Sequence, residues 1–339
     1  MRKAFVMVFL GFLMVSWNLM PVQAQATYQM IAQGTGPVGS PDFDLLYLGF
    51  KNEVEKNSNG RIKVTFYPLQ SFAPDREYLE FLENGTADVF MGSTLTMGLL
   101  DPAWNVTYLP FLFDSWSQTF DYFDGAPGKY LGDRLLKQYG IRILAYGISA
   151  PRSFSTNRRP IRVPSDVKGL KIRSPEAEPI DDWIKSIGAD PVVLSFPEMM
   201  PALQQGVVDG QDIGLLAGRI LRLQDVQKYW NNVVQCYIPI PVSISEKTWQ
   251  KLPADLQQVV LNAAIKSAHD QRVQVAESEK SLPEYAKSKN VVYVEVTEKE
   301  YQQWVDTAKK IWQQWEPKIN KVDPNLMKIT FDFVGKRWK

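Results

Sequence analysis

The chain has 339 residues, too many for one small core, and its 45% hydrophobic and 22% charged residues give the composition of an ordinary globular protein with two domains. Its formal charge of +1 includes Arg2 and Lys3; without them 36 basic side chains face 37 acidic ones, which suggests neither nucleic acid nor an anionic membrane surface as partner. A single cysteine, Cys236, and a single histidine, His269, exclude an internal disulfide and any metal site built on histidine or cysteine clusters.

Met1-Arg2-Lys3, an apolar run over residues 4–20 and the segment Pro21-Val22-Gln23-Ala24-Gln25-Ala26 have the basic start, apolar middle and small-residue end of a secretory signal. Residues 1–26 are therefore expected to be removed, with cleavage after Ala24 or Ala26. The competing reading, an uncleaved anchor, is disfavoured by a run that is short and broken at Trp17-Asn18. No cysteine stands near the cleavage region to carry a lipid, so export to a Gram-negative periplasm fits best.

Residues 28–32 read as a strand, followed by Gly34-Thr35-Gly36-Pro37-Val38-Gly39. This matches a dinucleotide-binding glycine pattern by letter, but Ser40 and Pro41 look like the cap and first position of the next helix, which puts the third glycine outside it. The better reading is a permissive loop at a cleft edge. A helix over 43–56, a turn at 57–60 and a strand over 61–67 complete one β-α-β unit. A helix over 76–84, Gly85, and a strand over 87–91 ending at Gly92-Ser93-Thr94 make another. Alternation at this spacing predicts mostly parallel sheets flanked by helices, in which ligands bind beyond the carboxyl ends of strands. Gln33, Ser93 and Thr94 stand at such ends and are candidate contacts. Asp114 is expected to cap a helix over 115–123; a helix over 129–139 and a strand over 141–147 follow, and the chain passes into a second domain near residue 150.

There the composition turns basic at Arg152, Arg158, Arg159 and Arg162, most of which read as solvated. Gly169 marks a tight turn before a short strand that carries Arg173 and is closed by Pro175. An arginine at a strand end is placed to grip a carboxylate with two parallel hydrogen bonds. A helix over 176–187, a strand over 191–194 and a helix opened by Ser195 and Glu198 as a capping box follow. A helical segment over 215–229, an apolar strand over 233–244 and a long helix over 253–285, broken near Pro283, come next. Trp304, Trp312 and Trp315 share a helical face that reads as a core stripe.

Gly169-Leu170-Lys171-Ile172-Arg173, Gly188-Ala189-Asp190-Pro191, Phe196-Pro197-Glu198 and the run from Ala202 to Gln211, taken in order, resemble the signature of the DctP-type solute-binding proteins of TRAP transporters. The likeness extends to Gly60-Arg61-Ile62-Lys63-Val64, Asp75-Arg76-Glu77, residues 109–113 and Leu252-Pro253. The resemblance implies a two-domain periplasmic-binding-protein architecture with a ligand cleft between the domains and a long helix spanning both. The domains would comprise residues 27–149 with 237–277, and 150–236 with 278–339. It further implies an extracytoplasmic subunit that captures a small organic acid and delivers it to an ion-gradient-driven membrane permease. Arg173 would be the anchor, Arg152 a second cation and Phe196 a wall, with Glu176 and Asp212 near the ligand's other end. Where the family continues with Glu, Asn and Pro after Gln211, this chain has Asp212-Ile213-Gly214. Ile213 offers no hydrogen bond, so a monocarboxylate with an apolar tail, such as a branched or aromatic 2-oxo acid, is expected, unless Ile213 turns away into the core. A monomer is expected, with a dimer as the alternative.

For an enzyme the parts are few: nothing in the sequence brings an acid or an oxyanion site to His269 or Cys236, and Asp181-Asp182 are adjacent and do not share a helical face. No cofactor is expected. A carboxylate-only cation site stays open, without EF-hand spacing. A sensor subunit for a membrane receptor, or a periplasmic enzyme on the same fold, are the alternatives to a transport protein.

Overall fold

The computed structural model describes residues 27–40 and 42–335. The secretory-signal pattern at residues 1–26, and Pro41 at the expected helix start, lie outside them. Strand β1 (Tyr28–Gly34) pairs in parallel with β2 (Ile62–Tyr67), from Tyr28 opposite Ile62 to Gln33 opposite Tyr67. Between them the chain enters its first helix through a wide π turn at Asp42–Tyr47 and continues as α1 (Leu48–Asn57). Helix α2 (Asp75–Asn84) leads to β3 (Val89–Met91), parallel to β1 on its other side. An unanticipated short helix, α3 (Thr94–Leu100), and a 3-10 turn at Pro102–Tyr108 follow. Helix α4 (Trp116–Phe123) takes its N-cap oxygen from Ser115, which accepts from the Gln118 amide at 3.2 Å, rather than from the expected Asp114. Helix α5 (Ala126–Tyr139) and β4 (Ile141–Ile148) close this half.

The chain then builds a second sheet. Strands β5 (Ser155–Thr156), β6 (Lys171–Ser174), β7 (Asp190–Val193), β8 (Gly210–Gln211) and β9 (Tyr229–Asn231) alternate with α6 (Glu178–Ser186), α7 (Phe196–Gln204) and α8 (Leu215–Ile220). The expected helix over 215–229 is thus only six residues, ending before a 3-10 turn at Leu223–Asp225 and strand β9. The expected strand over 233–244 begins at Pro239, as β10 (Pro239–Ser245). Residues before it cross between the sheets, with the Cys236 carbonyl accepting from the Arg152 amide at 2.9 Å. Helices α9 (Glu246–Lys251), α10 (Ala254–Lys280) and α11 (Leu282–Ser288), strand β11 (Val292–Val294), and helices α12 (Glu298–Val322) and α13 (Leu326–Val334) complete the chain.

The first sheet runs β2-β1-β3-β10-β4 and the second β11-β9-β5-β8-β6-β7. In each, one strand opposes both of its neighbours: β10 in the first and β5 in the second. These are the strands by which the chain arrives from the other sheet, so mixed pairing is the consequence of two crossings. Helix α10 buries Leu256, Val260, Ala264 and Ala268 against the first sheet's core, while Val275 belongs to the core under the second. A helix of 27 residues is explained by this double attachment. Its expected break at Pro283 is real: Pro283 stands in the first turn of α11, where its missing N–H costs nothing.

The tryptophan stripe is core, and it reaches both halves. Trp304 Nε1 donates to the Arg162 carbonyl (2.8 Å), Trp312 Nε1 to the Pro110 carbonyl (2.8 Å) and Trp315 Nε1 to Asp182 Oδ2 (3.1 Å). Helix α13 packs on α4 and α5, with Thr330 Oγ1 and Tyr122 Oη 2.8 Å apart and Phe331 edge-on to Trp312. Arg158, Arg159 and Arg162 are exposed, as expected, and make surface contacts: Arg158 pairs with Asp209, Arg162 with Glu300, and Arg159 donates to the Asp166 and Lys168 carbonyls.

Candidate functional site

A cavity of about 250 Å³ lies between the two sheets, lined from both. On the second sheet its key residue is Arg173, the third residue of β6, only 2% exposed. Gly169, at φ +75°, turns the chain into that strand, a conformation in which any side chain would be strained. Parallel pairing sets Arg173 opposite Val192 of β7 and Gln211 of β8. Pro175 ends the ladder, and the Leu194 carbonyl just beyond β7 accepts from Arg173 Nε (3.0 Å) and Nη2 (2.7 Å). One edge of the guanidinium is thereby fixed, leaving Nη1 and the second Nη2 hydrogen for a ligand. Burial is the main cause that lowers its pKa to about 10, so it stays cationic at neutral pH.

Arg152 lies in the crossing between β4 and β5 and also lines the cavity. Its backbone bridges both Gly214 and Cys236, and its Nε and Nη2 donate to Asp212 Oδ2 (3.2 Å) and Oδ1 (2.6 Å). This close approach needs Gly214: a Cβ there would stand 2.2 Å from that of Ala150. Asp212, expected near the ligand's far end, is instead the counterion of Arg152, 3% exposed and outside the cavity lining. Burial raises its pKa against the pull of Arg152 and Arg173. Two buried guanidiniums thus share one buried carboxylate, so this end of the cleft is short of one negative charge. An unpaired buried charge is costly, and an anionic ligand would offset it.

The other expected residues divide into two groups. Ser93, Glu176, Phe196 and Ile213 line the cavity, Glu176 on its exposed rim. Phe196 is held at the first turn of α7, where Glu198 Oε2 accepts from both the Ser195 amide (2.9 Å) and its Oγ (2.5 Å). Ile213, 4% exposed, lines the cavity and also belongs to the core cluster that holds Leu215 and Met199. Gln33 and Thr94 stand at strand ends as expected but are committed elsewhere. Gln33 Nε2 donates to the Ala73 carbonyl (3.0 Å) and its Oε1 accepts from the amides of Phe72 (3.2 Å) and Ala73 (3.1 Å), so it shapes the loop before α2. Thr94 Oγ1 is 2.6 Å from Tyr108 Oη, and both are buried. The glycine-rich run borders the cavity through Thr35, Gly36 and Pro37, but the Gly36 amide donates to Tyr47 Oη (3.0 Å).

Sequence reasoning missed the wall on the first sheet: Asp75 and Arg76 from the start of α2, and Leu95, Thr96 and Leu99 from α3. Its one available signal was the charged pair Asp75-Arg76 directly after Pro74. Among the described residues no cluster of three or more histidine, cysteine or acidic side chains could hold a metal ion.

The sequence profile of the bacterial extracellular solute-binding proteins of family 7 (DctP) matches residues 34–318. The sialic acid-binding periplasmic protein SiaP of Vibrio cholerae is 31% identical over 80% of this chain and 84% of its own length. The C4-dicarboxylate-binding protein DctB of Bacillus subtilis is 29% identical over 76% of this chain and 73% of its own. Among solved structures, the sugar acid binding protein DctPAm of Advenella mimigardefordensis with galactonate superposes with a TM-score of 0.85 at 26% identity, over 91% of this chain and 99% of that one. A TRAP solute-binding protein of Sulfurospirillum deleyianum with succinate gives 0.82 at 28% identity, over 90% of this chain and 98% of that one.

Proposed function

Because the chain belongs to the bacterial extracellular solute-binding proteins of family 7, which serve TRAP transporters, we propose that it works in the periplasm and closes on a small monocarboxylate anchored by Arg173. The observation that carries this reading is the charge shortfall at the Arg173 end of the cleft: Arg173 and Arg152, both buried, with Asp212 as their one buried carboxylate. A ligand carboxylate at the open edge of Arg173 would complete the set. The periplasmic location is supported by the signal pattern at residues 1–26, and among the described residues no helix is long and apolar enough to cross a membrane. The two domains would be those expected from sequence, centred on the two sheets, with α13 returned to the first.

The preference for an apolar tail rests on the lining. Leu95, Leu99, Ile213, Ala217, Ile238 and Ile240 contribute hydrocarbon to the cavity lining. A hydroxyl facing such a wall would lose its hydrogen bond to water without a replacement, at roughly 1–3 kcal/mol. Binding without turnover is supported by the remaining chemistry: Cys236 is buried with its thiol pushed up to about 12, and His269 is exposed beside Asp270.

Mass spectrometry of whatever co-purifies after mild denaturation identifies the ligand. A thermal-shift panel of branched and aromatic 2-oxo acids, C4-dicarboxylates and sugar acids then tests the class. We expect the 2-oxo acids to stabilise the protein most, and Ile213→Asn to weaken their binding. Stabilisation by dicarboxylates or sugar acids alone would refute the preference.

A further inference from the structure

Most neutral polar side chains of the cavity lining are already engaged by the protein. Gln70 bonds to Asp75, Thr96 Oγ1 donates to Asp75 Oδ2 (3.2 Å), Ser93 bonds to Tyr108, and Ser195 Oγ donates to Glu198 Oε2 (2.5 Å). The hydroxyls of Thr35 and Ser149 are left. Both residues are half-buried, neither side chain makes a hydrogen bond among the described residues, and neither oxygen is sealed from solvent. A ligand in the cavity can therefore reach them.

The two stand in different parts of the wall. Ser149 directly follows β4, where the chain crosses toward the second sheet. Its amide donates to the Ile238 carbonyl (2.8 Å), as the Arg152 amide does to that of Cys236 (2.9 Å), so residues 149–152 run beside the segment that leads into β10. The next residue, Ala150, is packed on Gly214, two positions beyond Asp212. Asp212 is the carboxylate held by Arg152, and Arg173 feels the charge of both. Ser149 thus lines the cavity at the end that holds the guanidiniums, whereas Thr35 belongs to the glycine-rich run after β1.

A carboxylate on the open edge of Arg173 has its oxygens met by the parallel N–H bonds of the fork, and the next ligand atoms able to accept a bond are those on its second carbon. We propose that Ser149 Oγ donates to an oxygen on that carbon, so that the site selects 2-oxo and 2-hydroxy acids over acids bare at that position. An oxo group accepts the bond directly, and a hydroxyl can accept it or return one to Oγ. A 2-ammonium group in the same place would face two buried guanidiniums, and this like-charge contact rejects amino acids of the same shape. The inference deepens the function proposed above and rests on Arg173 holding the ligand's carboxylate.

Titration calorimetry of the mature protein on two matched pairs tests this: 4-methyl-2-oxopentanoate with 4-methylpentanoate, and malate with succinate. In a pair that binds, the acid with the oxygen at its second carbon should bind at least about tenfold tighter, and leucine should not compete. Ser149→Ala should reduce the preference to within about threefold, with the loss falling on the oxygen-bearing acid alone. Thr35→Val, which removes the other open hydroxyl, should keep the preference whatever it does to affinity. Equal binding of both members by the wild type, competition by leucine, or a preference that survives Ser149→Ala overturns the proposal and leaves the binding function standing. So does an equal loss for both members, which would mean that Ser149 donates to the carboxylate itself. If no carboxylate binds at all, both fall.

Discussion

The Arg173 guanidinium holds the chain with one edge and leaves the other for the ligand carboxylate proposed above. Its Nε and Nη2 hold the Leu194 carbonyl, and its free edge is the only part left for a ligand. Truncation would leave a ligand carboxylate unpaired in a closed cleft, so Arg173→Ala should cost roughly 3–5 kcal/mol in binding, a hundredfold or more in affinity. Arg173→Lys should bind almost as poorly, since one ammonium cannot hold Leu194 and present a planar fork. Titration calorimetry with Arg173→Ala within about threefold of wild type would dismiss Arg173 as anchor. Its position was legible in the sequence because the turn at Gly169, the short strand and the stop at Pro175 are all local signals. The pairing of Arg152 with Asp212 was not, because the two are 60 residues apart and meet only through the contact of Ala150 with Gly214. Gln33 and Thr94 show the reverse: their strand-end positions were legible, but only the tertiary structure shows that Ala73 and Tyr108 occupy their side chains.

Elements with strong periodicity or caps were read well, among them β1, β2, α2, α5 and the box at Ser195. Those between residues 92 and 113 were not, since α3 and the following 3-10 turn are buried on several sides and carry no polar stripe to phase them. The long helix was legible from its length and from Pro283, yet it hides a group that no pattern marks. Glu279, in the last turn of α10, places Oε2 3.3 Å from Trp116 Nε1 of α4, while its Oε1 is buried without a partner. Tyr237 and Tyr293 also feel its charge. Burial raises its pKa from 4.5 to about 7. Because the folded-state value is the higher one, the stability contributed by this group is complete below the unfolded value of 4.5 and is lost as pH rises through about 7. Glu279→Gln should therefore leave stability unchanged near pH 4 and raise it by about 1–2 kcal/mol at pH 8, after allowance for partial solvent screening. Urea unfolding at the two pH values reads the difference; a variant less stable than wild type at pH 8 would contradict the assignment.

At the scale of the whole molecule, the two sheets are joined by the segment from β4 to β5, the segment from β9 to β10, and α10. The cavity between them is lined from both sides. Such a connection permits rotation of one half on the other about the crossing segments. Helix α12 sets a limit on that motion. Its tryptophans bond to Pro110 on one side and to Arg162 and Asp182 on the other, so the face of the molecule along α12 has packing to preserve. Closure should then draw the cleft edges together with α12 near the axis, and the molecule should become more compact when Arg173 engages a ligand. Small-angle scattering of the mature protein, with and without the ligand that co-purifies, should show a smaller radius of gyration in the bound state. Trp312→Ala, which opens the packing along α12, should weaken binding less than Arg173→Ala while broadening the difference between the two radii. An unchanged radius at saturating ligand would mean that the cavity is already in its binding shape and that no hinge operates.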